Sequence, residues 1–274
     1  MRRGYVDTTR GQMHYRETGK GHPIVLVHQA LRSSLEYRLV EPFLSDTWRV
    51  ISVDLMGYGD SDMPERPHFV SDHAARLREF ADGMGLKRFV IGGHHTGANI
   101  VLEFAAAYPK HVEALILSGP AVIIGEKEKK NLVDKMSAIQ YPAPKADGSH
   151  LLPIWREGLV SSFDVPRIPA SEVDLLHDFF LEQIKVGPRR KEAHIAAFSH
   201  DALASASRVK APTLIIIGKN DMWSCARGAE LKGALSNGEL HEFDTAGEMP
   251  RLDPKTWSST VRTFLEKHHL AGRA

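Results

Sequence analysis

Residues Phe89-Val90-Ile91-Gly92-Gly93-His94-His95-Thr96-Gly97-Ala98-Asn99-Ile100 form an apolar run that is broken by glycines and resumes as a helical pattern. Glycine at 93 and 97 lets two backbones pass close together, so a strand can turn directly into a helix with the middle side chain projecting from a strained tip. The tip residue is His95. Such a unit constrains the whole chain: it needs a strand inside a sheet, a helix packed on that sheet, and open space beyond the strand's carboxyl end.

The remaining sequence supplies that setting. Short runs rich in β-branched residues recur at Ile24 to His28, Val50 to Asp54, Phe89 to Gly92, Ala114 to Leu117, Thr213 to Gly218 and Leu240 to Phe243, alternating with helical patterns. The alternation predicts an α/β fold, a mostly parallel twisted sheet with helices on both faces. Tyr5 to Thr8 and Met13 to Glu17, joined by Thr9-Arg10-Gly11, predict an antiparallel hairpin polar enough for the sheet edge. Helices are expected after Ser34, Ser71, Gly97, Cys225 and Asp253, the last with Asp253 as cap and Pro254 in the first turn. Between residues 120 and 209 the rhythm gives way to proline-rich turns and amphipathic stretches such as Ser171 to Lys185, whose Val173, Leu175, Leu176, Phe179, Phe180 and Ile184 share one face. The expected division is therefore a core of residues 1–119 and 210–274 with a helical insertion at 120–209. The charged run Glu126-Lys127-Glu128-Lys129-Lys130 reads as a solvated helix face.

Charge and composition narrow the partners. With 35 basic and 34 acidic side chains the formal charge is +1, so no long-range field recruits nucleic acid or a membrane surface, and a small-molecule ligand is expected. The single cysteine, Cys225, excludes an internal disulfide framework and suits a reducing compartment, from which a cytoplasmic location is expected. No signal-peptide core follows the basic start, and no apolar run is long enough to span a bilayer. The oligomeric state is not legible.

Several landmarks in order and spacing resemble the α/β-hydrolase fold with a helical cap, over nearly the whole chain. His28-Gln29-Ala30 is similar to the family's His-Gly turn, with glutamine in place of glycine. Asp54-Leu55-Met56-Gly57-Tyr58-Gly59-Asp60-Ser61 resembles its Asp-x-x-Gly-x-Gly-x-Ser segment. Ile217-Gly218-Lys219-Asn220-Asp221 is similar to the strand end that carries the acidic triad member. The resemblance implies a nucleophile elbow at His95 and backbone oxyanion donors at Ala30 and Thr96. It also implies a substrate pocket touched by His28, Gln29, Met222 and Trp223. Two triad members depart from the pattern: His95 stands where serine is usual, and in Gly247-Glu248 the usual base histidine is replaced by Glu248.

The site expected from the resemblance is thus His95, Asp221 and Glu248. A serine mechanism needs a hydroxyl and a histidine base, and only the acid remains, so acyl-serine hydrolysis is not expected. Two facing carboxylates resist joint ionisation, and His95 is the nearest group able to compensate, with Glu248 as its expected contact and Asp221 as the second acid. A shared proton or a metal ion would compensate as well, since an imidazole and two carboxylates can form a facial ligand set. Spacing gives no metal motif, and neither metal nor cofactor is expected. The chemistry expected is acid–base catalysis by histidine on a small carbonyl compound, such as an ester, lactone, amide or cleavable carbon–carbon bond. A ligand-binding or sensor protein that keeps the pocket without turnover is the alternative. His94, Asp54 and Ser61 are expected to be structural, His28 to brace its loop and Cys225 to be inert. Trp155, Phe163, Phe179, Phe180 and Phe198 are read as packing, and His150, His177, His194 and His200 as solvated.

Overall fold

The computed structural model describes residues 1–155, 173–221, 227–244 and 249–270. Eight strands form one sheet: β1 (Arg2–Thr8), β2 (Gly11–Thr18), β3 (His22–Val27), β4 (Trp48–Val53), β5 (Phe89–His94), β6 (Val112–Ser118), β7 (Thr213–Gly218) and β8 (Gly238–Phe243). Their order is β1-β2-β4-β3-β5-β6-β7-β8. The β1–β2 and β2–β4 pairs are antiparallel and the others parallel. The hairpin thus lies at one edge, as its polarity predicted.

The helices are α1 (Glu41–Leu44), α2 (Val70–Gly83), α3 (Thr96–Ala107), α4 (Glu126–Ala138), α5 (Leu151–Trp155), α6 (Val173–Val186), α7 (Glu192–Ser199), α8 (Ala202–Ala206), α9 (Gly228–Ala234), α10 (Met249–Leu252) and α11 (Pro254–Lys267). After Ser33 there is one turn of 3-10 helix, Ser34–Tyr37, shorter than the expected helix. At α11, Asp253 accepts from the Thr256 N–H at 3.0 Å, and Pro254 opens the first turn without forfeiting a hydrogen bond.

Strand alternation sorts side chains into two cores. Val25, Val27, Ile91, Leu115, Leu117, Ile215 and Ile217 face Leu77, Phe80, Ile100 and Phe104 of α2 and α3. Ile24, Leu26, Val90, Ile116, Leu214 and Ile216 face Tyr37, Trp257, Val261 and Phe264. Both faces are covered, which is why these strands read as continuous apolar runs.

Helices α4 to α8 lie between β6 and β7. No residue of α4 is buried, in keeping with its charged sequence. α7 and α8 contribute Ala193, Ala196, Ala202 and Ala206 to the same core as α2 and α3, so part of the inserted segment is built into the main body. α6 buries Leu176 and Phe179, whereas Val173, assigned by periodicity to the apolar face, is 48% exposed at the first turn. Three polar contacts fasten α6 over the loops leaving the carboxyl ends of β3 and β4: Glu182 with Ser33, Asp178 with Arg38, and Lys185 with Asp60. Among the described residues, no helix is long and apolar enough to cross a membrane.

Candidate active site

The glycines around His95 are required by contact. A Cβ on Gly93 would lie 2.4 Å from the carbonyl carbon and oxygen of Gly97, and one on Gly97 would lie 2.2 Å from the carbonyl oxygen of Val27. β5 therefore meets α3, and α3 meets the end of β3, at backbone contact. His95 at the junction has φ 43° and ψ −112°, a strained conformation for a side chain with a Cβ. Its N–H donates to Ser118 O at 2.8 Å, which ties the tip to the end of β6.

The imidazole is held on both sides. Nε2 lies 3.0 Å from Oδ2 of Asp221, and Nδ1 lies 3.0 Å from Oε1 of Gln29. Asp221 follows β7 in a turn whose N–H bonds Gly218 O at 3.0 Å, and it is 3% exposed. The Gln29 amide is oriented by Glu36: its Nε2 donates to Oε1 at 3.2 Å, and the Gln29 backbone N–H donates to Oε2 at 2.8 Å. A carboxylate accepts only, so the amide oxygen must face His95, and Nδ1 must donate to it. At Nε2 a lone pair facing a carboxylate would be repulsive, so one proton lies between His95 and Asp221. The resting pair is an imidazolium carboxylate or its neutral tautomer, with a transferable proton at the elbow tip.

The neighbours fix this geometry. Gly119, at φ 59°, passes so close that a Cβ there would be 2.5 Å from His95 Cδ2 and 3.1 Å from Asp221 Oδ2. The loop after β6 is pinned by Asn99, whose Nδ2 donates to Ala121 O at 2.8 Å and whose Oδ1 accepts from Ala121 N–H at 2.9 Å. His94 is buried, donates from Nδ1 to Glu36, and stacks on His95 with ring centroids 4.1 Å apart. It is the structural neighbour that the sequence suggested.

Other expected site residues fall as follows. Ala30 and Thr96 are buried at the start of the β3 loop and of α3, and their N–H groups have no recorded partner among the described residues. His28, expected to touch the pocket and to brace its loop, is placed as a brace. It is fully buried, its Nδ1 donates to Gln29 O at 2.6 Å and its Nε2 accepts from Leu55 N–H at 3.0 Å, so both nitrogens are spent on bracing the loops. Burial lowers its pKa against the opposing pull of Asp54, keeping it neutral. Gln29, expected at the pocket rim, is the bridge between Glu36 and His95. Glu248, Met222, Trp223, Cys225 and Phe163 lie outside the described residues, so the expected His95–Glu248 contact is not described; the carboxylate seen on His95 is Asp221.

Sequence reasoning missed Glu36, whose signal was an acid within a short turn between buried Ser34 and Tyr37. It also read His194 as solvated. Burial instead drops the His194 pKa to about 4, and the positive charges of Arg190, His95 and Arg32 push in the same direction. His194 is thus a neutral imidazole facing the same region. His200, likewise read as solvated, is half-buried beside Ser205 and Glu103.

That group contains a serine, a histidine and an acid, but its polarity is wrong for a nucleophile. Asn99, oriented by Ala121, presents its Nδ2 at 3.2 Å to His200 Nδ1, which accepts; His200 Nε2 then carries the proton and faces Ser205 Oγ at 2.9 Å. The Ser205 hydroxyl donates to Glu103 at 2.5 Å. The trio fastens α8 to α3. A cleft of about 190 Å³ between α6 and β2 brings His14, Asp54 and Asp60 within 4.8 Å of one another, a metal-sized spacing. Asp54 is saturated there by His14 Nδ1 and Asp60 N–H, each at 2.8 Å, and by Ser34 N–H at 2.5 Å. This cluster, with Ser61 donating to Asp54 O at 2.7 Å, holds the turn, as expected for Asp54 and Ser61.

Glu182 carries a testable charge. Burial lifts its pKa from 4.5 to about 7; the Ser33 hydrogen bond and Arg32 oppose the rise, while Glu36 and Asp54 reinforce it. The folded chain holds this proton more tightly than the unfolded chain. Its contribution to stability is therefore full below pH 4.5 and is lost as pH rises through 7, a change of about 3 kcal/mol at most. Glu182→Gln is expected to match wild type at pH 4.5 and to exceed it by about 2 kcal/mol at pH 8 in urea unfolding. Equal stabilities at both pH values would contradict the buried-acid assignment.

The chain belongs to the α/β-hydrolase-fold family, whose profile matches residues 22–253. It is 24% identical over 265 residues to the 2-hydroxy-6-oxo-6-phenylhexa-2,4-dienoate hydrolase of Comamonas testosteroni, covering 86% of this chain and 84% of that one. An uncharacterised Mycobacterium tuberculosis protein is 29% identical over 125 residues, 46% of this chain; the match spans only 36% of that relative's length. The enol-lactonase of Burkholderia xenovorans LB400 superposes with a TM-score of 0.81 at 20% identity, covering 96% of this chain and all of that one, and shares the fold.

Proposed function

We propose that this hydrolase-family chain acts on a small carbonyl compound, an ester, lactone, amide or cleavable carbon–carbon bond, by histidine acid–base chemistry without an acyl-serine. The observation that carries the reading is the contact between His95 Nε2 and Asp221 Oδ2, 3.0 Å apart, at the strained elbow tip. At a substrate carbonyl polarised by the Ala30 and Thr96 N–H groups, the proton shared by His95 and Asp221 would pass to the leaving oxygen, nitrogen or carbon as its bond to the carbonyl carbon breaks. The freed imidazole then recovers a proton from the water that adds to the carbonyl carbon. Asp221 stabilises the charged ring, and Glu248 is assigned as the further acid. Residues 120–209 are read as a helical cap over the carboxyl edge, with α6 as the part resting on the β3 loop. The lone cysteine supports a cytoplasmic setting.

A second reading, a ligand-binding protein without turnover, draws on the same bonds: with Gln29 and Asp221 in place, both ring nitrogens are already satisfied. A panel of activated esters, lactones and cleavable diketones separates the two when assayed before and after treatment with a fluorophosphonate. Turnover that survives the reagent with no serine labelled is expected. Labelling with loss of activity would overturn the mechanism, and silence across the panel with tight binding would favour the second reading.

A further inference from the structure

Arg32 follows Gln29 by one turn, its N–H donating to Gln29 O at 3.3 Å. Its side chain is 5% exposed, its guanidinium stacks 3.9 Å over the ring of buried Phe179 on α6, and Nη1 reaches Leu31 O at 3.3 Å. Nε is buried without a hydrogen-bond partner, and no carboxylate lies within ion-pair distance among the described residues. Guanidinium cannot shed its charge, and a buried cation without an anion is costly, by several kcal/mol. A face of aromatic ring compensates for a small part of this.

The place of this charge gives it meaning. Gln29, one turn back, grips His95, and His194 feels the charges of both His95 and Arg32. Glu182, close enough to feel the Arg32 charge, bonds Ser33 and forms no ion pair with Arg32, and its Oε2 is buried without a partner among the described residues. A buried guanidinium nitrogen, Arg32 Nε, and a buried carboxyl oxygen, Glu182 Oε2, both without partners among the described residues, thus lie in the same region beneath α6.

Building on the carbonyl-substrate reading above, we propose that Arg32 anchors a carboxylate on the ligand, with the Glu182 carboxyl as a second hydrogen-bonding partner. The class of substrate is then a carbonyl compound bearing a free acid. A planar guanidinium suits a carboxylate in bidentate fashion, and a neutral amide of the same shape would lose the charge-assisted bonds.

Benzoate and benzamide serve as probes on the full chain, read by calorimetry and by melting temperature, with no turnover needed. Wild type is expected to bind benzoate and to melt higher in its presence, with benzamide at least about tenfold weaker. In Arg32→Met, which keeps a side chain against Phe179, benzoate affinity is expected to fall about tenfold or more. The ligand-free variant is expected to melt no lower than wild type, because an unpaired buried charge has gone. A variant that melts lower yet keeps the benzoate response would overturn the proposal and leave Arg32 as a packing residue; equal binding of benzoate and benzamide by wild type would do the same. Benzoate binding with no turnover of any acid would sustain the anchor while removing the enzyme reading. Turnover of neutral esters unaffected by Arg32→Met, with no benzoate binding, would remove the anchor alone.

Discussion

Replacing His95 by alanine is expected to lower turnover of the responding substrate by about 10²–10⁴-fold, the range for a positioned acid–base group. Among the described residues, nothing else is placed to supply the proton from the same position. Asp221 lies behind the imidazole at 3.0 Å, and His94 is buried with its Nδ1 on Glu36. The fold is expected to survive, because removing the side chain leaves the glycine contacts of the elbow untouched. Initial rates together with circular dichroism check both halves. Full activity in a folded His95→Ala protein would end the acid–base assignment, whereas loss of both activity and structure would show that the Asp221 bond holds the fold.

Much of this architecture was legible because it depends on local rules. Apolar runs of β-branched residues located the strands, and Gly93 and Gly97 marked the elbow because only glycine tolerates the 2.4 and 2.2 Å approaches seen there. Asp253 and Pro254 gave the start of α11 by side-chain chemistry alone. His95 and Asp221 could be assigned to one site by position, since both stand at strand ends that a parallel sheet brings to one edge, although Glu248 was the contact expected on His95. The connections around them were not legible. Gln29 reaches His95 only because Glu36, seven residues on, folds back in a 3-10 turn and fixes the amide. Arg32 and Glu182 are separated by about half the chain and come into one region through the packing of α6, a tertiary event with no sequence periodicity. The bracing partners of His28 were not legible for a similar reason: Gln29 O and Leu55 N–H belong to two different loops. Buried polar groups take whatever partner the loops deliver, and loop geometry is the least local part of a fold.

Gly97→Ala is expected to cost more than about 3 kcal/mol, at or above the upper end of ordinary overpacking. The added methyl would lie 2.2 Å from Val27 O and 2.5 Å from His28 O, and both obstacles are backbone. A side-chain tip could rotate away, but β3 is paired on both sides, with β4 and β5, and cannot yield alone. The first turn of α3 must therefore lift, carrying the Thr96 N–H away from Ala30 and moving His95 relative to Asp221. Stability and turnover should fall together. Gly233→Ala in α9 is the contrast, because its added methyl meets nothing within 4 Å and should raise helix stability by about 1 kcal/mol or less. Urea unfolding of the two variants measures the difference. A Gly97→Ala protein as stable as wild type would mean that α3 does not rest on the end of β3, and the oxyanion geometry argued from that contact would fall with it.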